Sequence, residues 1–211
     1  MRLRFPAFVS PLDRKLVRDL AGMWGQALAI ALVVAAGAAV QLLAEGMLSS
    51  LENTRNTYYD RYRFADVWAP VVRAPVREAE ALRAIPGVAA VETRVRTHAQ
   101  FDIPDMDEPA SGQAISLPED GRDASVNGVH LALGRMPAPG ARHEAVVLKS
   151  FAEAHDLKPG DTLATLLQGG REQLTIVGLA LSPEHVYAIA PGQLVPDDRL
   201  FGVIWMGRDA L

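Results

Sequence analysis

The longest apolar stretch of the chain lies near its N-terminus, where residues 21–44 contain no charged side chain. A helix from Trp24 to Ala44 would be about 31 Å long, which matches the hydrocarbon core of a bilayer. A surface helix of a soluble domain would place polar residues on every turn, and this stretch does not. The pattern predicts a transmembrane helix over 21–44. A soluble core helix is one alternative. A cleaved signal peptide ending at Ala36-Gly37-Ala38 is the other, but the apolar run continues past that site.

Helical patterns flank the predicted span on both sides. Ser10, Pro11 and Asp13 have the order of a helix start, with a serine cap, proline at the first position and a carboxylate at the third. The apolar and basic residues that follow fall on opposite faces, so residues 1–20 are predicted to carry an amphipathic helix on the cytoplasmic lipid surface. After the span, residues 45–64 keep helical spacing and predict a stalk helix that continues the membrane helix outward.

The pattern changes to short elements beyond residue 64. Residues 65–69 predict a strand, and Pro75 opens a short helix. Strict alternation from Val91 to Ile103 predicts a long strand whose solvated face carries Glu92, Arg94, Arg96, His98, Gln100 and Asp102. Residues 65–103 are therefore predicted to form an α+β part.

The rest of the chain, residues 104–211, predicts a loop followed by a barrel or sandwich of short strands with one helix at Ser150–Asp156. The fold class predicted for the whole is α+β, with 65–211 as one extracytoplasmic core domain. The strands are predicted at Ala114–Leu117, Val126–Leu133, Glu144–Leu148, Thr162–Gln168, Glu172–Leu181, His185–Ile189 and Phe201–Met206.

Small residues form one stripe along the predicted membrane helix. Ala27, Ala31, Ala35 and Ala39 fall at intervals of four residues, and such stripes let another helix approach closely in lipid. The alternative is that alanine is simply common in this chain. The stripe makes these four residues candidates for packing against a neighbouring membrane helix.

Charge gives the predicted orientation. Residues 1–20 carry five basic side chains, two of which are Arg2 and Arg4, and two acidic ones. Residues 45–211 carry 16 basic and 23 acidic side chains. The positive-inside rule then places the N-terminus in the cytoplasm and the large domain outside the inner membrane.

The net charge of −4 argues against a general affinity for nucleic acid. With no cysteine, the chain has no disulfide and no thiolate site.

The sequence lacks three common catalytic or phosphate-binding motifs. It has no GxxxxGK[ST] loop, no GxSxG elbow and no HExxH pair. The five histidines are at least a dozen residues apart, which gives no local metal cluster. The acidic group Asp102, Asp105, Asp107 and Glu108 lacks the spacing of a calcium loop and is interpreted as a solvated loop. We therefore predict no catalytic, cofactor-binding or metal site.

Three stretches resemble the N-terminal part of MacB/FtsX-type ABC transporter permeases. They are SPLDRKLVRDLAGMWGQALAIALVVAAG, SLENTRNTYYDRYRFADVWA and the run from EAVVLKSFAEAHDLKPGDTL to LTIVGLALSPEHVYAI. The resemblance implies a membrane helix that extends into a stalk, which bears a ferredoxin-like part and a smaller β-rich part. It also implies a permease dimer, either homo- or heterodimeric, in the lipid bilayer and a separate cytoplasmic ATPase that drives export, extraction or mechanotransmission on the outer side.

Members of that family have further membrane helices after the outer domain. The chain ends at Leu211, so the resemblance leads us to expect a fragment of a longer permease or a split or degenerate gene product. The alternative function is a free-standing, single-span adaptor or binding protein with an outer β-domain. The sequence specifies neither the substrate nor the direction of transport.

Overall fold

The computed structural model describes residues 10–104, 106–118 and 124–211, and it separates into a first unit ending at Asn56 and a second unit, Thr57–Leu211. Arg2, Arg4 and Asp105 lie outside the described residues. Helix α1 spans Pro11–Gly22, and its first turn is capped by Ser10, whose Oγ accepts a hydrogen bond from the Asp13 N–H at 3.2 Å. This is the helix start that the sequence predicts.

Helix α2 runs without interruption over Trp24–Arg61. It is the one helix of the described residues that is long and apolar enough to cross a membrane. The predicted membrane and stalk segments are therefore parts of one regular helix, because no proline interrupts these residues. Its last five residues belong to the second unit.

The second unit is built around a closed sheet. Its strands are β1 (Arg96–Asp102), β2 (Ala110–Ser116), β3 (His130–Gly134), β4 (Glu144–Leu148), β5 (Thr162–Leu167), β6 (Gly170–Leu181) and β7 (Phe201–Met206). Six of them close in the order β6-β4-β7-β2-β1-β5, and the pairing of β5 with β6 completes the barrel. The β2–β7 and β4–β6 pairs are parallel and the others antiparallel. Strand β3 adds to β6 beyond the barrel.

The barrel interior is filled by large apolar side chains, and helix α4 (Lys149–Ala154) supplies one of them. Phe151 from α4 and Phe101 from β1 are fully buried with their ring centroids 5.3 Å apart. Gly202 of β7 leaves room for both rings, because a Cβ there would lie 2.9 Å from a ring carbon of each. The two rings fill the space beside Gly202, so this part of the core has no room for a larger residue at that position.

Two predicted strands are absent. Residues 65–69 form no strand, and the Ala65 N–H donates to the Asn127 side chain at 2.8 Å instead of to a neighbouring strand. Residues His185–Ile189 are not a strand either, because Pro183 begins a 3₁₀ turn, Pro183–His185, with Ser182 as its cap. A tertiary contact in the first place and a local cap in the second form hydrogen bonds with backbone N–H groups. Those groups would otherwise bond to a neighbouring strand.

The long strand predicted over Val91–Ile103 begins only at Arg96. Its alternation is confirmed where it pairs, since Ala99, Phe101 and Ile103 are buried. Before Arg96 the ladder stops, because the Val95 N–H donates to the Ser116 side chain at 2.9 Å. The short helix after Pro75 is α3, Glu78–Arg83, from which Ala79 is buried.

Candidate functional site

The candidate site is the place where helix α2 ends and the chain enters the barrel unit. We call it the junction: residues 62–68, the loop 124–130, and the charged group formed by Arg94, Arg96 and Glu184. All of these residues belong to the second unit. The junction connects four parts of the chain that lie far apart in sequence.

The end of helix α2 has the bonds of a Schellman motif. The Phe64 N–H donates to the Tyr59 carbonyl at 2.9 Å, and the Arg63 N–H donates to the Asp60 carbonyl at 3.2 Å. The Phe64 and Tyr59 rings stack with centroids 4.5 Å apart, which is the apolar contact typical of this motif. Arg63 has φ +50°, a left-handed conformation that costs an ordinary residue about 1–2 kcal/mol relative to glycine.

The contacts of the 124–130 loop offset the backbone cost at Arg63. The Arg63 carbonyl accepts from the Asn127 N–H at 2.8 Å, and the Arg63 Nη2 donates to the Ala124 carbonyl at 2.8 Å. The Gly128 N–H donates to the Tyr62 carbonyl at 2.8 Å. Five residues are thereby joined in a short ladder that stops the helix at a defined residue.

Asn127 is the residue that holds the loop side of this ladder. It is 5% exposed and has φ +52°, and its Oδ1 accepts from the Ala65 N–H at 2.8 Å. Asparagine tolerates this left-handed conformation better than most residues. A further contact joins the Tyr62 hydroxyl to the His130 Nδ1 at 2.5 Å, so the ladder extends to the first residue of β3.

A buried carboxylate connects the junction to the start of β1. Glu184, whose side chain is 5% exposed, accepts from Arg94 Nη1 at 2.9 Å, from Arg96 Nη2 and from Trp68 Nε1 at 3.0 Å. Arg94 is 11% exposed and also donates to the carbonyls of Val126 and Asn127, at 2.8 and 2.6 Å. The Arg94 guanidinium thus joins the carboxylate to the loop that holds the helix end.

This position of Arg94 corrects the sequence prediction, which placed Glu92, Arg94 and Arg96 on a solvated strand face. Burial lowers the pKa of the Arg94 guanidinium, and the Glu184 carboxylate opposes that shift by stabilising the charged form. An arginine remains protonated under such conditions because its reference pKa is far above neutral pH. The charge pair is therefore a desolvated ion pair, which is sensitive to loss of either partner.

His185 lies next to the carboxylate and is kept neutral. Burial lowers its pKa to about 4, the Glu184 carboxylate raises it, and Arg96 and Arg94 lower it further. Its ring lies 6.0 Å from that of Trp205, which is fully buried. The His185 Nε2 and the Trp205 Nε1 have no hydrogen-bond partner among the residues that the structure describes.

An open cavity of about 510 Å³ lies beside the end of the helix. Its lining includes Arg61, Arg63 and Arg208, and Asp209 is the one carboxylate among its described lining residues. In the described parts of the chain no group of three His, Cys, Asp or Glu residues could hold a metal ion.

The four sequence-predicted packing residues lie elsewhere, on helix α2 in the first unit. Ala31, Ala35 and Ala39 are exposed and Ala27 is half-buried. Their role in helix packing stays a prediction. The sequence analysis missed the junction. The local signal for it was the order Ser182-Pro183-Glu184, which is typical of a serine-capped turn.

Comparison with known proteins gives a family and several similar solved chains. The family model for the MacB-like periplasmic core domain matches residues 23–204. The extracellular domain of the noncanonical ABC-type transporter YknZ from Gram-positive bacteria is similar at 14% identity with a TM-score of 0.38. That match covers 64% of this chain and 62% of the other, so the chain spans less than two thirds of the structure it matches. A comparison with curated proteins gives no significant match.

The family match extends over most of the chain and includes all of helix α2 and the barrel strands, except the last two residues of β7. Together with the apolar helix near the N-terminus, it indicates a membrane-anchored extracytoplasmic domain in an ABC transporter permease component. The chain belongs to the MacB-like periplasmic core domain family, as the core of a MacB/FtsX-type permease.

Proposed function

We propose that the chain is the N-terminal portion of a permease subunit that couples a separate cytoplasmic ATPase to work on the outer side of the inner membrane. The work would be export, extraction or mechanotransmission. In this proposal the N-terminus is cytoplasmic, a second permease subunit completes the dimer, and residues 65–211 act as the outer core domain.

The observation that carries the proposal is the continuity of helix α2 up to the junction. Its 38 residues correspond to about 57 Å of helix, and the hydrocarbon core of a bilayer takes up only about 30 Å of that. The rest ends in the Schellman motif, where the loop 124–130 and Glu184 hold the following residues. A rotation or tilt of the helix end would therefore displace the loop and the buried charge pair together.

The orientation rests on charge. The residues before the span carry the basic excess, and helix α1 places its cations next to that end of the span. A cytoplasmic ATPase would then act on the same side as helix α1. The stripe of Ala27, Ala31, Ala35 and Ala39 is proposed to pack against another membrane helix of the permease, because small residues permit close helix approach in lipid.

The test measures whether nucleotide binding moves the outer domain through helix α2. The chain has no cysteine, so Gln173→Cys gives a single spin-label site on the exposed face of β6. The distance between labels in the two permease copies is measured by double electron–electron resonance, without nucleotide and with ATP and vanadate, in the assembled permease–ATPase complex. We expect the distance distribution to shift between the two states.

The helix-breaking variant Asn56→Pro supplies the mechanical test, with Asn56→Ala as the helix-compatible control. Proline inside a helix removes a hydrogen bond and kinks the chain, so the nucleotide-dependent shift should disappear while ATP is still hydrolysed. A shift that persists in Asn56→Pro contradicts transmission through a rigid helix. If the unmodified protein shows no shift and binds no ATPase, the single-span adaptor becomes the better hypothesis.

A further inference from the structure

The loop 124–130 contains the one asparagine–glycine pair of the sequence, Asn127 and Gly128. In such a pair the glycine amide nitrogen can attack the asparagine side chain, because glycine has no Cβ to hinder the approach. The other two asparagines, Asn53 and Asn56, lie inside helix α2, and each is followed by a β-branched threonine that hinders the same attack. Asn127 is therefore the asparagine of this chain that is most susceptible to deamidation.

The deamidation reaction consumes water and releases ammonia. A bond forms between the Gly128 nitrogen and the Asn127 Cγ while the bond from Cγ to Nδ2 breaks. The side-chain nitrogen leaves as ammonia, with the proton that the Gly128 nitrogen gives up. Water then opens the resulting cyclic imide. Opening at Cγ gives aspartate, and opening at the main-chain carbonyl carbon gives isoaspartate, whose main chain is longer by a carbon atom.

The closed junction engages both reacting groups. The Gly128 N–H donates to the Tyr62 carbonyl at 2.8 Å, so the attacking nitrogen is bonded to the end of helix α2. The Asn127 Oδ1 accepts from the Ala65 N–H at 2.8 Å, which fixes the side-chain amide that would be attacked. Asn127 is also only 5% exposed, which restricts the access of water. Ring closure therefore requires that these hydrogen bonds break first.

Two further bonds hold the Asn127 backbone. Its N–H donates to the Arg63 carbonyl at 2.8 Å, and its carbonyl accepts from Arg94 Nη2 at 2.6 Å. The rotation that brings the Gly128 nitrogen toward Cγ would disturb both bonds. The reaction rate is then the intrinsic rate multiplied by the fraction of time for which the junction is locally open.

We propose that Asn127–Gly128 is a deamidation site that the closed junction protects, and that reaction after local opening leaves an isoaspartate that prevents the junction from closing again. The added main-chain carbon moves the two successive N–H groups apart. They then no longer reach the Arg63 and Tyr62 carbonyls together, and the ladder at the helix end is lost. The inference goes beyond the proposed function, and its tests need neither nucleotide nor an ATPase.

Protection is tested by peptide mass spectrometry of the full chain in detergent at mildly alkaline pH. Peptide mapping assigns the mass increase to Asn127, and Asp120–Gly121 does not interfere because isomerisation of an aspartate leaves the mass unchanged. Deamidation of the folded chain should be at least about tenfold slower than that of the same chain in guanidinium chloride, because a buried, hydrogen-bonded loop is rarely open. Equal rates in the two states would overturn the proposal.

Gly128→Ala is the control for the chemistry. A Cβ at this position would lie 3.4 Å from its nearest neighbour, a Tyr62 ring carbon, so the fold accommodates it. The variant should keep the tryptophan fluorescence of the folded chain and should slow the mass increase at Asn127 in the unfolded chain. An unchanged rate in the unfolded variant would show that the reaction does not proceed through attack by the Gly128 nitrogen.

Arg94→Gln tests the control of the reaction by the junction. It removes the hydrogen bond to the Asn127 carbonyl and should speed deamidation of the folded chain at least about fivefold. Arg135→Gln, which removes an exposed partner of Glu144 outside the junction, should leave the rate unchanged. Hydrogen exchange of the Gly128 amide measures opening independently. Faster exchange in Arg94→Gln without faster deamidation would overturn the proposal.

The consequence for the junction is tested on the two products after their separation by ion exchange. Asn127→Asp reproduces the aspartate product, keeps the length of the main chain and still offers an oxygen to the Ala65 N–H. This variant should retain the slow exchange of the Gly128 amide, whereas the isoaspartate form should lose it. An isoaspartate form with unchanged exchange would refute the claim that reaction prevents closure.

Discussion

The substitution Glu184→Gln probes the buried charge pair of the junction with little change in shape. It removes the negative charge opposite Arg94, whose side chain is 11% exposed, and leaves that guanidinium without the carboxylate to which it is hydrogen-bonded. Removing one partner of a buried ion pair costs about 3–5 kcal/mol. Arg94 keeps its two carbonyl acceptors and Arg96 is 42% exposed, so we expect a loss near the lower limit, about 3 kcal/mol.

The assay is urea unfolding of the full chain in detergent, followed by tryptophan fluorescence. A Trp24→Phe background removes the signal of the membrane helix and leaves Trp68 and Trp205, both in the barrel unit. Glu144→Gln is the matched control, since Glu144 pairs with Arg135 at 2.6 Å but both side chains are more exposed, at 23% and 56%. The control should lose much less stability, because exposed ion pairs contribute little.

A double-mutant cycle separates the charge pair from other effects of the substitution. Arg94→Gln on its own leaves the Glu184 carboxylate without its most buried partner. The double variant removes both charges of the pair. The double variant should therefore lose less stability than the two single variants together. If Glu184→Gln costs no more than Glu144→Gln, or if the two losses are additive, the proposed role of the buried pair in holding the junction is refuted.

Three further predictions follow from the barrel unit. The pKa of His185 is lowered to about 4, whereas an unfolded histidine titrates near 6.5, so the unfolded state binds the proton first. Stability should fall between about pH 6.5 and 4, and His185→Leu should flatten that part of a urea-midpoint profile. Hydrogen bonds from Arg135 and the backbone lower the pKa of Glu144 to about 2. The stability difference between wild type and Glu144→Gln, which solvent screening keeps small for this partly exposed pair, should be full above about pH 4.5 and vanish as the pH approaches 2 in the same assay. Gly202→Ala would place a Cβ 2.9 Å from two buried rings and should cost about 1–3 kcal/mol, whereas Gly170→Ala, with its nearest neighbour at 3.5 Å, should cost far less.

The elements that the sequence predicts well are those with a local cause. Glu144–Leu148 and Phe201–Met206 are strands with the predicted bounds, and both are continuous apolar runs that the barrel buries. The start of helix α1 follows from a serine cap and a proline within four residues. Helix α2 follows from a long stretch without proline.

The misses occur where a distant residue competes for the backbone or the side chain. Residues 65–69 have a strand-like composition, but the Ala65 N–H bonds to Asn127, 62 residues further on. Arg94 alternates with apolar neighbours as a solvated strand residue does, but it turns toward Glu184, 90 residues away. The periodicity of neighbouring residues does not indicate a partner that lies so far away in sequence.

The sequence by itself determined the apolar helix near the N-terminus, its basic flank and the positions of the main strands, because length, charge and periodicity act over a few neighbouring residues. The order of the strands, the closure of β5 onto β6 and the junction were decided only in the tertiary structure. The Glu184 carboxylate becomes a buried anchor only when Arg94, Arg96 and Trp68 reach it from 88 to 116 residues away. Desolvation and ion pairing depend on that proximity in space, which spacing along the chain does not specify.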